Sequence, residues 1–360
     1  MTLRVALVGG PMYDHLYEVF APGEVEVVLH ADHPTLNRGV AEMLGAGARI
    51  DLLATHSKYA PSQTQWLRPL DDLVDTAVVG ALAPRAVELC CFRATSWCLP
   101  RLIDVRVLWV RTDRVDPVPN TWDEIVQSDT VLGFPGRESG LFGTFFELVV
   151  GHGGGLFDGS GRPTIDTPES EWAVDILCRL AARAPADLPG WHYDQVDAAL
   201  LDGRVDAAGV WPGGWGAIRD SRLTDRLTAV AYPAGRSRRV TYAGCHAWAI
   251  PRTCGDVAGA VELLQRLLGY EAQSRDAAGG SICAHRAALA AVQPVSELDR
   301  RRLDITARMI EEAMITYPPL ERFTEIEDAG WSSIRAALLG RQSPGEAVRA
   351  IQETADRVLR

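Results

Sequence analysis

Apolar positions in the first fifty residues fall into short runs separated by polar stretches and one stretch of helical spacing. Leu3 to Val8 reads as a buried strand, stopped by Gly9-Gly10-Pro11; Val25-Glu26-Val27-Val28-Leu29 reads as a second and Ile50-Asp51-Leu52-Leu53-Ala54 as a third. Between the last two, Pro34 to Leu44 sets its apolar residues at helical intervals and stops at Gly45. Strands joined by helices of this length predict a parallel, doubly wound α/β sheet. Ligands of such sheets sit beyond the carboxyl ends of the strands. Two loops fall there, Gly10-Pro11-Met12-Tyr13 and Thr55-His56-Ser57-Lys58-Tyr59.

A second α/β unit follows. Leu99 to Val110 is a strand-rich passage out of the first unit, and Thr121-Trp122-Asp123-Glu124 carries the Thr-x-x-Glu capping box of a helix start. Val131 to Phe134 predicts a strand, Ser139-Gly140 the cap of a helix over Leu141 to Val150, and Gly151 to Gly155 its stop. Ala207 to Val210 predicts a strand entering Trp211-Pro212-Gly213-Gly214-Trp215, and Tyr242 to Ile250 a second passage between units. The remainder is mostly helical. The expected division is a first α/β lobe over 1–110, a second over 111–243, and a return crossover with a mostly helical part over 244–360 that completes both.

Composition narrows the function. A chain of 360 residues with net charge −11 lacks the basic face that phosphate binding wants, which excludes nucleic acid as the main partner. Arg236, Arg238 and Arg239 read as a solvated loop. No apolar run is long enough to span a membrane. Seven cysteines without a C-x-x-C pair predict buried thiols rather than zinc or redox chemistry. With no secretory-signal pattern at the start, this places the chain as written in the cytoplasm, or outside the cell if an export signal was removed.

The candidate chemistry is that of polar ligand binding. Gly9-Gly10-Pro11 is not G-x-G-x-x-G, and Pro11 removes a donor that a phosphate would need. Gly136-Arg137-Glu138-Ser139-Gly140 has the wrong spacing for a nucleophile elbow. The eight histidines form no compact metal pattern, so neither a metal nor a cofactor is expected. His56 and His246 are expected in loops at strand ends. Trp211 and Trp215 bracket a Pro-Gly-Gly turn, where indoles can stack on a pyranose face; a core role is the alternative. Asp104 and Arg106 alternate about Val105, so a strand would turn both to one face, for hydroxyl recognition or for a structural ion pair.

Four segments together resemble the extracellular solute-binding proteins of ABC importers, in particular the sugar-binding cluster. They are Leu99 to Asp113; Pro119-Asn120-Thr121-Trp122-Asp123-Glu124; Gly203-Arg204-Val205-Asp206-Ala207-Ala208 leading to Trp211-Pro212-Gly213; and Gly244-Cys245-His246-Ala247-Trp248-Ala249-Ile250-Pro251. Gly340 to Ala350 is similar to the family's last helix. The resemblance implies a two-lobed periplasmic-binding-protein-like fold with a hinge, closing on a sugar or polyol, and an ABC permease as partner. It implies a site built from Tyr13, His56 and Lys58 of the first lobe, Asp104 and Arg106 of the crossover, and Glu138, Trp211, Trp215 and His246 of the second. Pro100 and Gly244 are the expected hinge positions. The rival readings are a cytoplasmic enzyme of the same fold, with His56, Glu138 or Asp104 as acid and base, and a ligand sensor.

Overall fold

The computed structural model describes residues 2–10 and 13–360, with only the backbone of His15; Pro11 and Met12, in the first strand-end loop, lie outside the described residues. The chain divides into two compact units. One comprises residues 1–104, 244–293 and 319–321, the other 105–243, 294–318 and 322–360.

In the first unit the strands Leu3–Val8, Val25–Ala31 and Leu52–His56 run parallel, with Leu3–Val8 in the middle. Its neighbour Leu52–His56 is buried throughout, as a parallel strand covered on both faces must be. Val25–Ala31 is the edge, and its residues are partly exposed. The crossover helix His33–Gly45 buries Leu36, Val40 and Leu44, one residue per turn along one face. Asp32 caps it by accepting from the Thr35 amide. On the other side of Leu52–His56, residues His246 to Ala249 of the strand Thr241–Ala249 pair antiparallel with it, His246 opposite His56. Buried Arg101 makes a bidentate pair with Asp276, at 2.7 and 2.8 Å, tying the strand Leu99–Val105 to the helix Tyr270–Ala278.

In the second unit Val107–Arg111 pairs antiparallel with both Leu227–Val230 and Ala207–Val210, and Leu132–Gly133 lies parallel to the latter. Val107–Arg111 is therefore a second-unit strand, and the chain changes unit at Asp104/Val105, ahead of the expected Val110. The helix Glu138–His152 is buried along most of its length and ends at Gly153, whose φ of 108° suits glycine. It lies against Phe323–Leu338, where Gly330 leaves room for the Phe142 ring; a Cβ there would come within 2.2 Å of it.

Several expectations change. Ser139 does not cap its helix, because the helix begins one residue earlier, at Glu138, with Arg137 in the cap position. His246 lies within a strand and not in a loop, because the return passage is itself part of the first unit's sheet. The seven cysteines are unpaired, and five of them are buried. Arg236 is not merely solvated: it pairs with Asp123 at 3.0 Å.

Candidate functional site

The carboxyl end of Leu52–His56 organises a polar cluster in the first unit. The turn after it is fixed by two backbone bonds, Tyr59 N–H to the His56 carbonyl at 2.8 Å and Ser57 N–H to the Cys245 carbonyl at 2.9 Å. The Lys58 amide donates to His56 Nδ1 at 3.2 Å, so that nitrogen is an acceptor and His56 is neutral with its proton on Nε2. Burial, helped by His246 and the Lys58 ammonium, holds the His56 pKa well below the ordinary imidazole value. The His56 ring lies against the backbone at Gly244, where a Cβ would fall 2.0 Å from the ring. Lys58 Nζ sits 4.8 Å from the centre of the Tyr59 ring.

Two further imidazoles join His56. His246 Nε2 is 2.9 Å from Asp104 Oδ2, and His246 Nδ1 is 3.2 Å from Nε2 of His33, the first residue of the crossover helix. Ring centres are 4.6 Å apart for His33 and His246, 5.5 Å for His33 and His56, and 5.7 Å for His56 and His246. Tyr13 closes the group, 4.7 Å from His246 and 5.7 Å from His33. Tyr13, His56, Lys58, Asp104 and His246 are thus brought together in one unit. His246 was expected in the second lobe; it sits in the first because the strand carrying it pairs with Leu52–His56. No group of histidine, cysteine and acidic side chains among the described residues is arranged to hold a metal.

The second unit carries its own aromatic and polar group. Glu138 begins its helix at φ 55°, an unusual conformation for a side-chain-bearing residue. Its carboxylate takes the Arg137 guanidinium and lies 3.4 Å from His192 Nε2. Gly136 makes the approach possible, since a Cβ there would meet the Leu188 carbonyl at 2.0 Å. His192 leads to Tyr193, which meets Trp211 edge to face at 5.8 Å; Tyr242 meets the same indole at 6.2 Å. Trp211 is half-buried.

Arg106 and Trp215 differ from the sequence expectation. The two sides of Val105 belong to different units, so Asp104 and Arg106 do not share a face: Asp104 goes to His246, while Arg106 is buried against Glu147. Arg106 also donates to Thr144 Oγ1 at 3.2 Å and lies 5.4 Å from the Trp211 ring centre. It is a prop beneath Trp211 and not an exposed donor. Trp215 is a core residue, 3% exposed, with Trp109 stacked on it and Arg302 4.6 Å from its ring centre.

His33, Tyr193 and His192 were not singled out from the sequence. A signal for His33 existed, because Asp32-His33-Pro34 follows the second strand and so falls where the strand-end rule points. Composition held another signal: Lys58 is the chain's only lysine, the remaining members of the 36 Lys and Arg being arginine.

Two α/β units, each with a sheet and polar and aromatic side chains gathered at strand and helix ends, define a two-lobed binding fold. The chain belongs to the bacterial extracellular solute-binding protein family, which matches it over residues 23–274. Solved structures share the fold. Maltose-bound MalE3 of T. maritima superposes with a TM-score of 0.85 at 19% identity, covering 99% of this chain and 100% of that one. A ribitol-bound ABC transporter solute-binding protein of Agrobacterium radiobacter K84 gives 0.88 at 18% identity, covering 99% and 98%. The maltotriose-bound maltotriose-binding protein of Thermus thermophilus gives 0.81 at 17% identity, covering 100% of both chains. No curated protein matches by sequence. No helix among the described residues is long and apolar enough to cross a membrane.

Proposed function

We propose that this solute-binding protein takes a sugar or related polyol and presents it to an ABC permease outside the cytoplasm. The observation that carries this reading is Trp211, a half-buried indole framed by Tyr193 and Tyr242, with Glu138, Arg137 and His192 beside Tyr193. An aromatic face next to groups that donate and accept hydrogen bonds is what a pyranose or polyol needs, since it has apolar C–H surface and hydroxyls. Tyr13, His33, His56, Lys58 and His246 supply the same kinds of donor and acceptor in the first lobe. Proteins of the same fold solved with maltose, maltotriose and ribitol bound support the class.

The test is titration calorimetry with maltose, maltotriose, ribitol and tagatose, with tryptophan fluorescence in parallel. Binding of at least one is expected, with Trp211→Ala weakening it about tenfold or more, the effect of losing a stacking partner and its desolvated surface. Heats at the buffer blank for all four sugars, or a Trp211→Ala protein that binds as tightly as the parent, would overturn the reading.

A further inference from the structure

Four of the seven cysteines gather at the end of one short helix in the first unit. Cys90 is the residue that closes the helix Pro84–Leu89, and Cys91 opens the hairpin strand after it. Cys98 lies beyond the hairpin, with Sγ 3.9 Å from the Cys90 carbonyl. Cys245 comes from the strand Thr241–Ala249, with Sγ 3.7 Å from the carbonyl of Ala86, one helical turn before Cys90. The Cys90 thiol hydrogen-bonds to both the Cys98 and the Cys245 thiols. All three are sealed in, none more than 1% exposed. Cys91 is half-buried, its thiol turned to the Val87 carbonyl at 3.4 Å and Ser96 Oγ at 3.6 Å. Three thiols together can hold a metal, but no group among the described residues has that arrangement. That leaves sulfur–sulfur chemistry.

We propose that Cys90 is the shared sulfur of a redox site, forming a disulfide with Cys98 or with Cys245 but never both, and that only the Cys245 form acts on the histidine cluster. A Cys90–Cys98 bond closes the base of one hairpin. A Cys90–Cys245 bond joins the two sequence-distant parts of the first unit, 1–104 and 244–293. It also pulls on a residue whose amide donates to Ser57 Oγ at 3.1 Å and whose carbonyl takes the Ser57 N–H at 2.9 Å. Cys245 stands between Gly244, against which the His56 ring lies, and His246. The sequence hid the site, because the three thiols meet through the fold and not through a local spacing.

Formation is two successive exchanges with a small-molecule disulfide. The Cys90 thiolate attacks one of its sulfurs, giving a mixed disulfide and expelling a thiolate. A thiolate of Cys98 or Cys245 then attacks Cys90 Sγ and expels the second. Two protein S–H bonds become one S–S bond; the two protons end on the expelled thiolates, and the two electrons have reduced the small disulfide to two thiols. Burial pushes the Cys90 thiol well above its ordinary pKa. The hydrogen bond with Cys90, together with burial, does the same to Cys98. The folded trio is therefore a poor nucleophile, and the bond is made as the chain folds, before these side chains are covered. Export, which belongs to the solute-binding reading, supplies the oxidising setting; the thiol geometry does not rest on that reading.

The full chain is unfolded with reductant and refolded in a mixture of oxidised and reduced glutathione, and its disulfides are mapped by proteolysis and mass spectrometry. One bond per chain is expected, always containing Cys90, with Cys91, Cys178, Cys254 and Cys283 recovered as thiols. Cys98→Ala should move the bond wholly to Cys245, Cys245→Ala wholly to Cys98, and Cys90→Ala should abolish it. NMR of ring-labelled histidine in the two forced forms reads their reach. Oxidation should shift the His56 and His246 signals in Cys98→Ala and leave them unmoved in Cys245→Ala. A chain recovered with all its thiols free, a bond that bypasses Cys90, or loss of the bond in both neighbour variants overturns the redox site. Identical histidine spectra for oxidised and reduced Cys98→Ala overturn its link to the cluster. If Cys90→Ala does not fold, the map of the parent and of the two neighbour variants still decides. None of these measurements uses a ligand, so their failure is separate from failure of the sugar panel.

Discussion

His56 and Gly244 show how one side chain fixes another across a sheet. The sequence suggests Gly244 as a hinge residue, valued for conformational freedom. In the structure it lies inside the strand Thr241–Ala249 and has no positive φ; glycine is needed there because the His56 ring occupies the space of a side chain. Gly244→Ala should displace that ring and cost about 1–3 kcal/mol, the usual range for overpacking, measurable by denaturant melting. His56 also predicts a pH effect. Its folded pKa is depressed, so between the unfolded value near 6.5 and the lower folded value the unfolded chain binds the extra proton. Its contribution is fully present above about pH 6.5 and is lost as pH falls, by at most about 1.4 kcal/mol per unit. Stability measured from pH 7.5 to 5 should decline more steeply for the parent than for His56→Asn; equal slopes would contradict a buried neutral His56.

Elements with local signals were legible in the sequence, and those defined by distant partners were not. Thr121-x-x-Glu124 is a capping box in the structure, with Glu124 N–H donating to Thr121 Oγ1 at 3.1 Å and the Glu124 carboxylate accepting from the Thr121 amide at 3.3 Å. Thr121→Ala should cost about 1 kcal/mol, read as a shifted unfolding midpoint with an unchanged slope. The helix Glu138–His152 was visible as an apolar run, but its start was not. That start is set by Gly136 fitting beneath the Leu188 carbonyl, a contact between segments about fifty residues apart. Arg106 was legible as a charge in an apolar strand, and its partner was not, because Glu147 reads as one more helix residue until the fold brings the two together. Arg106→Met would leave the Glu147 carboxylate buried without its cation and should destabilise by about 3–5 kcal/mol. It would also remove the prop under Trp211 and red-shift its fluorescence. Arg106→Met with Glu147→Leu should recover most of the stability; a double variant no more stable than Arg106→Met alone would show that the charge pair is not the cause.

Neither unit is continuous in sequence, and this is where a linear reading fails most. Short apolar runs and caps locate the strands and helices, but nothing local in His246 to Ala249 says that these residues complete the first unit's sheet. The first unit needs that return segment. It brings the antiparallel partner of Leu53 to His56; the helix Val257–Leu268, which buries Leu263, Leu264, Leu267 and Leu268; and Asp276, the partner of buried Arg101. A fragment of residues 1–104 would therefore expose the flank of Leu52–His56 and strand the Arg101 guanidinium, and is expected to show no cooperative thermal unfolding. Asp104 touches His246 at 2.9 Å, so a short Gly/Ser linker from residue 104 to residue 244 can join 1–104 to 244–293. The joined fragment should melt cooperatively and give a dispersed amide spectrum. It should also keep the His33–His246 contact, seen as the same histidine ring tautomers as the full chain. Cooperative folding of residues 1–104 alone would show that the return segment decorates this unit instead of completing it. A joined fragment that stays unfolded would show that the first unit depends on the second.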